Sequence, residues 1–187
     1  MADFEYLGIN HLALVCKDMD RTIDFYSNVL GMPLTKTIDL PGGRGKHYFF
    51  DCGGGDQLAF FWFPNGPDSV DAKELRRISA IPGTMNHVAF NVAPEKIEEY
   101  REKLVALGIE CTEVVNHDDS ERQVSDDVSP STFVRSIYFH DPDGMQLEFA
   151  AWARPLTSED VHERYRMAAN GAAERADAEG NGTERTH

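Results

Sequence analysis

The chain has 187 residues, 41% of them hydrophobic, enough for one globular domain or two small modules sharing a core. A formal net charge of −14 argues against a nucleic-acid or anionic-membrane partner, and no apolar run is long enough to span a bilayer. The three cysteines, Cys16, Cys52 and Cys111, are widely spaced among apolar residues, and the acidic amino-terminal stretch has no apolar h-region. Together they point to reduced structural thiols in a cytoplasmic protein.

Gly8 to Val15 reads as a first strand, with His11 and Ala13 on one face and Leu12 and Leu14 on the other. Asp18 and Asp20 offer caps for a helix over Arg21 to Leu30, which Gly31 ends. A strand follows near Pro33 to Ile38, then a Gly-rich loop, then a hairpin from His47 to Phe60. Asp68 to Pro82 reads as a polar linker with room for one helical turn. The pattern then restarts. Asn86 to Val92 (NHVAFNV) repeats Asn10 to Cys16 (NHLALVC), and His87 lies 76 residues after His11. Pro94 and Glu95 open a helix with Ile97, Tyr100, Leu104 and Leu107 on one face, stopped by Gly108. Ile109 to Val115 is the next expected strand, and Asn116 to Ser131 an acidic loop.

Ser136 to Phe149 closes the second half as two strands around the turn residues Asp141-Pro142-Asp143-Gly144. It aligns without a gap on His47 to Phe60, at an offset of 89 residues: Phe139 on Phe50, Gly144 on Gly55, Leu147 on Leu58, Phe149 on Phe60. Glu148 falls on Ala59. The repeat predicts an α+β fold of two tandem βαβββ modules, residues 7–67 and 84–152, forming one domain over 7–152. Their eight strands are expected to make one curved, cup-shaped mixed sheet with the helices outside. Residues 153–169 read as a short helix and 170–187, rich in Ala, Gly, Glu and Asn, as a disordered tail.

His11, His87 and Glu148 sit opposite the large aliphatics of their strands, so all three are placed toward the cleft. An ionised carboxylate there costs several kcal/mol unless a positive group meets it. Two imidazoles and one carboxylate with open positions suit non-haem Fe(II), and equally Mn(II) or an open Zn(II) site. Phe61, Phe63 and Phe133 would make the cleft aromatic, with Asn91 another inward residue.

On these residues the chain resembles the vicinal oxygen chelate superfamily, which includes glyoxalase I, fosfomycin-resistance thiol transferases, bleomycin-binding proteins and type I extradiol dioxygenases. The resemblance implies that His11, His87 and Glu148 are the metal ligands. Glyoxalase I usually draws a fourth ligand from the position of Ala59. Ile137-Tyr138-x-x-Asp141-Pro142-x-Gly144-x-x-x-Glu148 resembles the extradiol signature, in which Tyr138 would bond the bound substrate. This implies an Fe(II)-dependent dioxygenase opening a catechol-type aromatic diol with O2, an oxidoreductase of aromatic hydrocarbon catabolism, working as a homo-oligomer. The histidine that opens that signature is absent, with Ser129-Pro130-Ser131 in its place, and so is the family's acid–base histidine, which falls near Asp56; His47 is the candidate replacement for proton transfer. The other implied classes are a non-redox divalent-metal thiol transferase, isomerase or lyase, and a small-molecule-binding resistance protein.

Overall fold

The computed structural model describes residues 4–161. Gly8–Ala153 forms the larger compact unit, and the described residues 4–7 and 154–161 fall in a smaller one. In the larger unit the first half runs β1 (His11–Val15), α1 (Met19–Ile23), β2 (Leu34–Leu40), β3 (Gly45–Gly53) and β4 (Asp56–Trp62). After α2 (Ala72–Ser79) come β5 (Val88–Asn91), α3 (Ile97–Ala106), β6 (Val115–Asp118), β7 (Val124–Ser125), β8 (Thr132–His140) and β9 (Gln146–Trp152).

The α+β class and the two-fold repeat hold, but the strands divide into two mixed sheets in place of one. Their orders are β1-β4-β3-β2 and β5-β9-β8-β6-β7. In each, a parallel pair (β1 with β4, β5 with β9) sits beside an antiparallel hairpin. The reason is visible in the strand lengths: β1 and β5 have five and four residues, and each is an edge strand with one unpaired side.

Alternation gives each sheet a packed face and an open face. Leu14, Phe50, Leu58 and Phe60 from the first sheet, and Val88, Phe90, Ile137, Phe139 and Leu147 from the second, join one buried cluster. The helices cover those packed faces. Asp18 caps α1 by accepting from the backbone N–H groups of Asp20 and Arg21. The helix then widens into a π-helical segment over Asp24–Val29, which places Tyr26 fully inside. There its hydroxyl donates to Asp141 Oδ2 at 3.1 Å. Asp141 also accepts from the N–H groups of Asp143 and Met145, so one carboxylate ties the second half's turn to the first half's helix. Gly144 turns the chain at φ 85°, and a Cβ at Gly45 would lie 2.1 Å from the Trp62 carbonyl oxygen. Both positions require glycine.

Three local expectations change. The linker contains the full helix α2, capped by Asp71. Ile109 to Val115 makes only an isolated bridge, Cys111 with Phe139, and the strand begins at Val115. The stretch read as an acidic loop therefore supplies β6 and β7, with Asn116 buried and donating to the Ser125 and Asp126 carbonyls. In the smaller unit, Thr157 caps a 3-10 turn at Ser158–Asp160, and Asp160 pairs with Arg154 at 2.6 Å. The rest of the expected helix over 153–169 and the tail over 170–187 lie outside the described residues.

Candidate metal centre

Strand register places most of the expected site residues. On the open face of the second sheet, Glu148 pairs with Ala89 of β5 and with Tyr138 of β8. His87, just before β5, brings Nε2 to 2.9 Å from Glu148 Oε2. Glu148 is only 5% exposed, and a carboxylate buried there calls for a positive charge at this contact. The other ring nitrogen, His87 Nδ1, is 2.7 Å from Asn86 Oδ1. Because an amide oxygen only accepts, Nδ1 carries the proton and Nε2 offers its lone pair.

His11 repeats that arrangement on the first sheet, with Nδ1 at 2.8 Å from Asn10 Oδ1. The duplicated Asn-His pair thus fixes the same tautomer twice, as outer partners of metal-bound histidines do. Donor types and tautomers both fit a divalent cation. Yet His11 is not beside His87 and Glu148. Among the described residues of one chain, no three His, Cys, Asp or Glu side chains are grouped to hold a metal ion.

Around His11 the open face is aromatic. His47, opposite Phe61 in register, stacks on its ring at 3.7 Å and 9°. Phe61 is in turn parallel to Phe63 at 5.9 Å, and Phe49 contacts both His11 and His47. His47 Nε2 is buried without a hydrogen-bond partner. Burial, then the nearby His11, lowers its pKa, which favours the neutral ring. Around Glu148, Tyr138 stands edge-on to His87 at 6.0 Å. Its pKa is raised, by burial first and then by the Glu148 charge, which keeps the hydroxyl protonated. Asn91 lies exposed on β5 opposite Ala150. Phe133 sits where the β6–β8 register shifts, its ring 6.4 Å from His117.

The structure thus gathers the expected residues into two groups: His11, His47 and Phe61 on one sheet; His87, Glu148, Tyr138, Asn91 and Phe133 on the other. One functional candidate escaped the sequence reading. His117 Nε2 lies 3.1 Å from the Tyr138 hydroxyl. It lies on β6, in a stretch whose acidic residues read as loop, although the β-branched Val114 and Val115 just before it favour a strand.

Residues 8–149 match the family model of the Glyoxalase/Bleomycin resistance protein/Dioxygenase superfamily, and the chain belongs to that superfamily. It is 28% identical over 141 residues to the metallothiol transferase FosB of Shouchella clausii, covering 75% of this chain and 77% of that one. Over 70 residues it is 39% identical to the lactoylglutathione lyase of Pseudomonas aeruginosa, covering 37% of this chain and 35% of that one. In the solved structures it resembles the fosfomycin resistance protein FosX of Listeria monocytogenes in complex with Mn(II) and 1S,2S-dihydroxypropylphosphonic acid. There the identity is 25% and the TM-score 0.51, covering 80% of this chain and 95% of that one.

These relatives are enzymes, but a metallothiol transferase, a lyase and a fosfomycin resistance protein are not ring-cleaving dioxygenases. They overturn the extradiol expectation, and with it the setting of aromatic hydrocarbon catabolism. The physical reason lies in the motif. Asp141, Pro142 and Gly144 build the β8–β9 turn and its bonds to Tyr26, Asp143 and Met145. That pattern reports the hairpin and carries no information about ring cleavage. No helix among the described residues is long and apolar enough to cross a membrane.

Proposed function

We propose that this chain is a non-redox, divalent-metal enzyme of the thiol-transferase kind, adding a nucleophile to a small electrophile that carries an oxygen. The observation that carries the reading is the duplicated Asn-His pair, with one His Nε2 already set against the Glu148 carboxylate. His11, His87 and Glu148 would hold the ion, with Mn(II), the metal of the Listeria relative, the first choice. A bound divalent ion would supply a Lewis acid for the electrophile's oxygen. The chain's own residues do the rest. Tyr138 keeps its proton beside the ligand carboxylate and presents a donor to the oxygen as negative charge develops there. His117 holds the Tyr138 hydroxyl in place, and His47 is the neutral imidazole available to take the nucleophile's proton.

The separation of His11 from the other two ligands supports a homo-oligomer. β1 and β5 each present an unpaired edge, which invites pairing with another chain. The open faces also expose Val15 at 64% and Trp152 at 50%. A two-fold pair of chains would bring His11 of one to His87 and Glu148 of the other, giving two equal sites.

The test is Mn(II) binding by equilibrium dialysis, followed by thiol consumption with a panel of epoxides and 2-oxoaldehydes. The reading expects one tightly held ion per chain and turnover that disappears on chelation. Full thiol-transfer activity in the chelated protein would refute it.

A further inference from the structure

Among the described residues, the strands bring little positive charge to the open faces. The nine strands among the described residues contain three cationic residues, Lys36, Lys46 and Arg135. Two of them are turned away. Lys46 pairs with Trp62 and lies over the Tyr48 and Trp62 rings, on the side opposite His47. Arg135 donates to Asn116 Oδ1 and to Glu98, on the side opposite Ser136 and Tyr138. Lys36 does occupy the open face, in register with Phe49, Ala59 and Ala13 across the sheet. It stands three strands from β1, however, about 14 Å at the usual strand spacing. A lysine side chain does not reach His11 over that distance.

A phosphonate dianion is ordinarily held by several charge-assisted donors, most often arginine forks. Here the neighbouring strand positions offer Glu148 and Asp51, and the whole chain carries −14, a field that repels anions. What the first sheet does offer is a ladder of flat surfaces: His47 on Phe61, Phe61 parallel to Phe63, and Phe49 against His47. Such faces gain from an uncharged ring or other planar unsaturated group laid against them.

We propose that this site takes an uncharged electrophile with a ring-bearing or planar unsaturated body seated on the His47–Phe61–Phe63 ladder, and discriminates against phosphonates. The proposal rests on the metal-enzyme reading for the oxygen end of the ligand. The probes are two diols that differ in one group, 1-phenylpropane-1,2-diol and 1,2-dihydroxypropylphosphonate. Each is titrated by calorimetry into Mn(II)-loaded protein and into metal-free protein. The phenyl diol should bind at least about tenfold more tightly, and Phe61→Ala should remove most of that preference with Mn(II) affinity unchanged. His47→Gln, which keeps bulk but loses the ring, should remove part of it. Tighter binding of the phosphonate diol, no binding of either, or a preference indifferent to Phe61→Ala would overturn the proposal. Failure of Mn(II) to bind would count against the metal reading alone, because the metal-free titrations still compare the two diols on the ladder.

Discussion

The two halves of this chain share a backbone plan and divide the chemistry. Ala59 and Glu148 hold the same address, each opposite an alanine of a short parallel edge strand, Ala13 in one half and Ala89 in the other. Each also faces an aromatic residue across an antiparallel hairpin, Phe49 in the first half and Tyr138 in the second. Both are buried. The first half has filled these positions with alanine and phenylalanine and kept its Asn-His pair. The second has filled them with a carboxylate and a phenol. Duplication supplies the geometry twice, and only the second half places a carboxylate at that address.

The largest expected effect removes that one acid. Glu148→Ala should lower Mn(II) affinity by more than about a hundredfold, beyond the range of changes to a ligand's outer partners. Calorimetric titration reads it, and retained full affinity would exclude Glu148 as a ligand. Next come the outer partners themselves. Asn10→Ala and Asn86→Ala each free a ring nitrogen, and each should weaken Mn(II) binding by about 10–100-fold. Equal losses would show that the halves contribute equivalent ligands; a loss at Asn86 alone would confine the metal to the second half.

A smaller effect probes the bond between the halves. Tyr26→Phe leaves the buried Asp141 carboxylate without its hydroxyl donor, at a cost of about 1–3 kcal/mol in urea unfolding. An unchanged midpoint would show that this contact does not hold the halves together. Asp141 also sets a pH dependence. Burial, only partly opposed by its N–H and hydroxyl donors, lifts its carboxyl above the ordinary range. The folded state therefore binds that proton more tightly than the unfolded chain. The resulting stabilisation is complete below the unfolded pKa of about 3.9 and is lost as pH rises through the raised value. Asp141→Asn should flatten that decline in urea midpoints measured across the same window.

Much of this was legible in the sequence because duplication prints the fold twice. The strands other than β6 and β7, the helix α3, the hairpin turns and the positions of His11, His87, Glu148 and Tyr138 follow from alternation and from the matched segments. What stayed hidden depended on tertiary context. His117 sits on a strand formed only because β8 and β7 pair with it, in a stretch whose acidic residues read as loop. The division into two sheets was also invisible, since it depends on how far two short edge strands reach. The dioxygenase reading failed for a related reason: it took the residues of a turn for the residues of a reaction.

The central claim is that His11 joins His87 and Glu148 from a second copy of the chain. The direct measurement mixes two inactive variants, His11→Ala and Glu148→Ala, after unfolding them together and refolding. In mixed pairs one site inherits both lesions and the other inherits neither, so random association should restore about a quarter of the wild-type Mn(II) sites. Each variant refolded alone should restore none. Recovery at that level is the result the account predicts. No recovery in a mixture that demonstrably forms mixed pairs would contradict it.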